Sequence, residues 1–348
     1  MIRKNWLKNK DFSKISLKFL KIVSSIITML LALVFIFVCF EIYVPINPSS
    51  HETIIFTAQK GWGDDEIAKD LQKLGIIRNN YFFRFYVIAT LRHSSLQAGE
   101  YNLSPKMSIS QIAKKMEQGD VIKDEAIILE GWDVNDIGKY LESKNICQQD
   151  YFISLTQKDY SSEFDFLQDK PENESIEGYL FPDTYQIAKG ESCEEMLNTM
   201  LSNFDKKLTL NLRTEIKNQR KSIFDVVIMA SLIEKEVRTF DDKKIVSGIL
   251  WKRMAVGMPL QLDATINYIT GKSDPSATIK DTKIDSPYNT YKYKGLPKGP
   301  ISNPGINSII AAIYPSQTDY WYYLADGRTI FSKTLEEHNA AAKMYLGR

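Results

Sequence analysis

An unbroken apolar run, Ile22–Phe40, dominates the first part of the chain, nineteen positions without a charge. At ~1.5 Å of rise per residue it nearly spans the ~30 Å hydrocarbon core of a bilayer. It predicts one transmembrane helix, placed at residues 22–44. Pro45–Ser50 follows as a short polar linker. The pattern then becomes short and repetitive. Extended runs at Thr53–Thr57, Gly99–Leu103 and Ala126–Leu129 each lead into a stretch with apolar residues four apart. These pairs are Ile67 and Leu71, Ile112 and Met116, and Ile137 and Leu141, the spacing of one helix face. Lys60-Gly-Trp-Gly-Asp-Asp-Glu-Ile-Ala-Lys-Asp-Leu71 and Glu130-Gly-Trp-Asp-Val-Asn-Asp-Ile-Gly-Lys-Tyr-Leu141 are two copies of one segment, and Met107–Met116 is a weaker third. With a further helix over Tyr81–Leu91, the first part predicts a small βααβ unit.

The second half reads as mixed helix and strand. Gln157–Asn173 is polar and predicts a loop-rich connection, Glu191–Leu210 an amphipathic helix, and Asn211–Ser222 a polar lead-in. Ser222–Val237 predicts a buried helix opened by Ser222 and Asp225 in a capping-box-like start. Asp242–Val256 is another helix, stopped at Gly257. The alternation in Met258–Ile266 predicts an extended segment presenting Gln261 and Asp263 on one face. Asp285–Tyr291 is a turn, Gly295–Gly305 a rigid surface loop, Asn307–Ala312 a short helix, and Tyr320–Phe331 a hairpin across Asp326-Gly327. The fold class expected is α+β, with a larger mixed domain after the small module.

Length and composition fit this picture. The chain has 348 residues, 44% hydrophobic and 25% charged, enough for two or three globular domains. A net charge of +1 argues against nucleic acid as a partner. The charge is concentrated at the start: residues 1–21 carry Arg3, Lys4, Lys8, Lys10, Lys14, Lys18 and Lys21 against Asp11 alone. A basic flank before an apolar span predicts a cytoplasmic N-terminus and a chain lying outside beyond it. No small-x-small cleavage site follows the run, so a retained signal anchor is expected rather than a removed signal peptide. Three cysteines make no disulfide scaffold. Cys39 sits in the span, and whether Cys147 and Cys193 pair is open. His51, His93 and His338 lack metal-ligand spacing, and no nucleotide-binding glycine loop occurs. No metal or cofactor is expected.

Candidate chemistry centres on Glu234. It lies four residues after Ala230 and seven after Val227, on a face with packed residues, whereas Lys235, Glu236 and Arg238 read as a solvated helix end. A carboxyl against an apolar wall has its ionised form destabilised, as a general acid near neutral pH requires. Glu177-Gly-Tyr-Leu-Phe-Pro-Asp-Thr-Tyr185 sets aromatics between acids, a composition found both in sugar clefts and in cores.

The βααβ unit at residues 50–125 resembles a LysM-like domain, a module associated with binding N-acetylglucosamine polymers. Five further blocks resemble the MltG-type (YceG-like) endolytic murein transglycosylases. They are Glu177–Tyr185, Ala230-Ser-Leu-Ile-Glu-Lys-Glu236, Gly257-Met-Pro-Leu-Gln-Leu-Asp263, Tyr288-Asn-Thr-Tyr291 and Gly295–Gly305. One block departs from the family pattern Leu-Gln-Thr-Asp-Pro-Thr, reading Leu260-Gln-Leu-Asp-Ala-Thr265. The resemblance implies a cytoplasmic tail at 1–21, an anchor at 22–44, the LysM-like domain at 50–125 and a catalytic domain at 126–348. It implies a single-pass membrane enzyme that cuts nascent peptidoglycan glycan strands beside the peptidoglycan synthases.

Such an enzyme cleaves the β-1,4 bond after N-acetylmuramic acid without water. An acid protonates the leaving oxygen, the sugar's C6 hydroxyl attacks C1, and the same carboxylate takes the hydroxyl proton. One carboxyl suffices because the nucleophile is in the substrate, whereas ordinary glycosidases need two. The resemblance assigns the acid to Glu234. Gln261, Asp263, Asn289, Tyr291 and Glu177 are candidates for substrate binding. A non-catalytic wall-binding scaffold and a water-using muramidase are the competing expectations.

Overall fold

The computed structural model describes residues 6–92, 94–272 and 277–346. Arg3, Lys4 and His93 lie outside them. The chain forms two compact units, Met1–Asp124 and Glu125–Arg348.

In the first unit, helix α1 (Trp6–Tyr43) contains the apolar run, and its part Lys18–Tyr43 is long and apolar enough to cross a membrane. Strand β1 (Ile54–Ala58) pairs antiparallel with β2 (Gly99–Leu103), Phe56 opposite Tyr101. Helices α2 (Asp64–Lys73) and α3 (Asn80–Ala89) connect them, and α4 (Ile109–Glu117) follows. The i, i+4 pairs Ile67/Leu71 and Ile112/Met116 are buried with Phe56, Phe83, Val87 and Tyr101 in one core. Ser108 caps α4 by accepting from the Gln111 amide, while Gln111 accepts from the Ser108 amide. Helix α3 ends short of the predicted Leu91 because that residue is left-handed, at φ 57°.

In the second unit, β3 (Lys123–Ile127) pairs with β4 (Thr184–Ala188). Helices α5 (Val134–Ser143) and α6 (Gln149–Thr156) lie between them in sequence. The segment expected as polar loop instead buries Phe166 and Leu167 in a 3₁₀ turn, Asp165–Leu167. Cys147 and Cys193 form a disulfide that ties the entry of α6 to the first residue of the next helix, α7 (Cys193–Lys207).

Two further expectations are corrected. The helix expected over 191–210 is α7 (Cys193–Lys207), but the polar lead-in expected over 211–222 is itself mostly a helix, α8 (Leu210–Asn218). Arg213 fixes the break between them: its guanidinium donates to the carbonyls of Leu208 and Asp205, satisfying groups left open where α7 ends. The segment expected to be extended over 258–266 is a loop that turns into α11 (Asp263–Thr270). Arg253 donates to the Leu260 carbonyl, Gln261 N donates to Thr290 O, and Leu262 N donates to the Thr290 hydroxyl. These anchors hold Gln261 at φ 56°, which breaks the alternation.

Helix α9 (Ile223–Glu236) is the axis of this unit, buried at every position from Val226 to Ile233. Ser222 accepts from the Asp225 amide at its start. Helices α8, α10 (Phe240–Ala255), α11 and α12 (Ile306–Ile313) pack against it. The hairpin β5 (Tyr322–Asp326) and β6 (Arg328–Ser332) turns at Gly327, and α13 (Leu335–Leu346) closes the unit.

Candidate active site

The last turn of α9 carries two glutamates two positions apart, which puts them about 200° apart around the axis. Their surroundings differ. Glu234 is buried, its side chain 8% exposed. Its Oε1 accepts from the Lys243 ammonium at 2.7 Å, and Lys243 on α10 is itself buried. Its Oε2 accepts from Gly305 N at 3.0 Å and from the Ser308 hydroxyl at 2.7 Å. Gly305 caps α12, so the carboxylate sits at that helix's N-terminus, where a negative charge is favoured. The apolar wall expected around Glu234 is instead a set of three donors, and the group is one end of a buried ion pair. Glu130 is close by: a Cβ added to Gly305 would collide with its carboxyl.

Glu236 was expected to be solvated, and it is not. It is half-buried, and its Oε2 accepts from the Tyr323 hydroxyl at 2.9 Å. Burial pushes its carboxyl up to about 7; the nearby Asp263 charge adds to this, while the Tyr323 bond and Arg253 oppose it. Asp263, the first residue of α11, accepts from the Tyr291 hydroxyl at 2.5 Å. Burial first, then Asp263, holds the Tyr291 hydroxyl well above its ordinary range. Arg253 is fixed beneath by three hydrogen bonds to the Leu260 and Trp321 carbonyls.

The expected site residues therefore separate. Asp263 and Tyr291 belong with Glu236. Gln261, next to them in sequence, has an exposed side chain on a left-handed backbone. Asn289 is fully buried and organises its turn: it donates to the Thr282 and Ile284 carbonyls and accepts from the Tyr291 and Lys292 amides. Every polar atom of its amide is engaged, so it shapes the loop carrying Tyr291 and has nothing left for a sugar. Glu177 is also buried; it accepts from Val134 N at the start of α5 and from the Asn303 amide, and burial pushes its carboxyl up to about 8. Asn303 also accepts from Gly178 N and Leu180 N, so Glu177 joins a buried network that fixes loops. Among the described residues no grouping of His, Cys, Asp and Glu could hold a metal ion.

The YceG-like family profile matches residues 56–344, both units except the anchor and the extreme ends. The chain belongs to the YceG-like family. An endolytic murein transglycosylase of Bacillus subtilis strain 168 is 33% identical over 316 residues, 87% of each chain. A protein of the same name from Streptococcus pneumoniae strain R6 is 30% identical, matching 85% of this chain and 59% of that longer protein. A YceG-like protein of Listeria monocytogenes, solved by crystallography, is 35% identical with a TM-score of 0.56, over 84% of this chain and 99% of that one. Within this YceG-like chain, sequence reasoning missed Glu236, Tyr323, Arg253 and Lys243. The readable signal was the 200° offset: if Glu234 faces packed neighbours, Glu236 faces another surface, and the Tyr320–Tyr323 run supplies hydroxyls to meet it.

Proposed function

We infer that this YceG-like protein is a membrane-anchored lytic transglycosylase that cleaves peptidoglycan glycan strands internally, leaving 1,6-anhydro-N-acetylmuramic acid ends. Family membership and the relatives named endolytic murein transglycosylases support the reaction class. The observation that supports the assignment of roles is the Glu236 carboxyl, raised to about 7 beside Asp263 and Tyr291.

In this reading Glu236, rather than Glu234, is the acid. Protonated Glu236 gives its proton to the glycosidic oxygen as the bond to C1 breaks. The C6 hydroxyl of the muramic acid then forms its bond to C1, and its proton returns to the Glu236 carboxylate. The Asp263 carboxylate offers negative charge to the oxocarbenium-like centre or to the 2-acetamido N–H. Tyr291 orients Asp263, and Gln261 reaches the sugar from the exposed loop. Glu234 holds α9, α10 and α12 together through Lys243, Gly305 and Ser308.

The remaining assignments belong to the same proposal. Residues 50–125 act as a LysM-like module for N-acetylglucosamine polymers, a role supported by the strand–helix–helix–strand order. Residues 126–348 are the catalytic domain, the basic tail at 1–21 is cytoplasmic, and the enzyme works beside peptidoglycan synthases.

A second carboxylate beside Glu236 also suits a water-using muramidase, with Asp263 as the base. Mass analysis of sacculi digested by the purified protein separates the readings. Anhydro-muramic ends are expected. Reducing ends would transfer the reaction to water, and no release would leave a wall-binding scaffold.

A further inference from the structure

Helix α3 has three faces, and one of them lacks a protein partner among the described residues. Phe83 and Val87 point into the core and are fully buried. Phe82 and Tyr86 meet α1, with ring centroids 5.7 Å from Phe37 and 6.4 Å from Tyr43. The third face carries Tyr81, Phe85 and Ile88, exposed by 71%, 55% and 54%. Their i, i+4, i+7 spacing makes them one stripe, opposite the core-facing residues. Leu91, just past the helix end, extends it at 79% exposed. A helix on a water-facing surface carries polar residues there, so this stripe calls for an apolar covering.

Its height relative to the apolar span says what that covering is. Lys18–Tyr43 is 26 residues, about 39 Å long, against a hydrocarbon core of ~30 Å. The excess is divided between the two ends, Lys18–Lys21 before and Glu41–Tyr43 after the charge-free Ile22–Phe40, and both flanks lie in the interfacial layer. Helix α3 packs on the last seven positions, Phe37 to Tyr43. Arg78 joins them: its guanidinium lies 4.9 Å from the Phe40 ring centroid and donates to the Val44 and Pro45 carbonyls. Tyr43 and Tyr81 are of the type that gathers at a membrane–water boundary. Phe35 and Ile36, just before the contact, are exposed on α1 and need lipid as well.

We propose that α3 is an interfacial helix, seated in the bilayer boundary at the C-terminal end of the span, with Tyr81, Phe85 and Ile88 immersed in lipid. The proposal rests on α1 being a membrane span. Lipid is the occupant because the stripe adjoins a surface that lipid already covers, and an amphipathic helix lying in the interface has this character.

The test uses the full-length chain with Cys39→Ser, reconstituted in phosphatidylcholine–phosphatidylglycerol vesicles. An environment-sensitive fluorophore is attached to one introduced cysteine: Phe85→Cys, Ile88→Cys, Lys69→Cys on the polar face of α2, or Val34→Cys within α1. Lipids carrying a nitroxide near the headgroup are then added. Emission at 85 and 88 should shift to the blue and be largely lost, while emission at 69 stays unchanged. Emission at 34 should be lost to nitroxides placed deeper in the acyl chain. If 85 and 88 behave like 69 while 34 is quenched, the interfacial helix is rejected and the anchor stands. If 34 is not quenched by lipid, the span itself fails, and the proposal with it. A blue shift at 85 without quenching would put protein on the stripe and also overturn the proposal.

Discussion

Glu234 and Glu236 are separated by one lysine, yet substituting them should produce opposite kinds of damage. Glu236→Gln removes the transferable proton while keeping the side chain's size. The rate should fall by ~10²–10⁴ with the fold intact, and release of anhydro products measures it. Because a carboxyl raised by burial disfavours its ionised form, the variant should also gain thermal stability above pH 7. Glu234→Gln strips the buried Lys243 ammonium of its partner and weakens the start of α12. Loss of one member of a buried pair costs roughly 3–5 kcal/mol, so its melting temperature should drop sharply. A Glu234→Gln protein that melts normally but is inactive would return the acid role to Glu234. The pH profile gives an independent reading. Glu236 must be protonated to act, and its carboxyl titrates near 7, so kcat/KM should decline as pH rises through that value. An unchanged rate well above pH 8 would exclude Glu236. None of this was legible from apolar spacing. Spacing identifies α9 as a buried helix, but the donors Lys243, Gly305 and Ser308 come from elsewhere in the chain and decide what a buried carboxyl does.

Elements whose own residues define them were the legible ones. Helices α2, α4 and α5 follow from their Ile/Leu or Ile/Met pairs at i and i+4, and the β5–β6 turn follows from Asp326-Gly327. Elements set from a distance were not. The end of α7 at Lys207, short of the expected Leu210, depends on Arg213 reaching back to the Leu208 and Asp205 carbonyls. The left-handed Gln261 depends on Thr290, which bonds the next residue from 28 positions away. The Cys147–Cys193 disulfide is of the same kind, its partners 46 residues apart in sequence. Closing a loop of that length restricts the unfolded chain by about 4 kcal/mol in the loop-entropy picture. Replacing both cysteines by serine should therefore lower the melting temperature of the second unit markedly. An unaltered melt would mean that the two thiols are not joined in the native protein.

At the scale of the whole chain, a buried disulfide in the second unit suits an oxidising compartment, and the basic flank of α1 gives the same direction. A phosphatase reporter fused after Arg348 should be active outside the cytoplasm, and activity only within it would reverse the topology. The end of α1 has a mechanical consequence of its own. Ile42 is buried in the core of the first unit, and Arg78 clasps the carbonyls of Val44 and Pro45, so the span enters the folded unit without a slack linker. The bilayer then grips a post rather than a string. The charge-free part of α1, Ile22–Phe40, nearly matches an ordinary bilayer, and in thinner lipids such a span relieves mismatch by leaning. Any lean is passed to the first unit, so lipid acyl length becomes a dial on the angle at which that unit meets the wall. Polarised infrared dichroism of the chain in short- and long-chain lipids would read that dial directly.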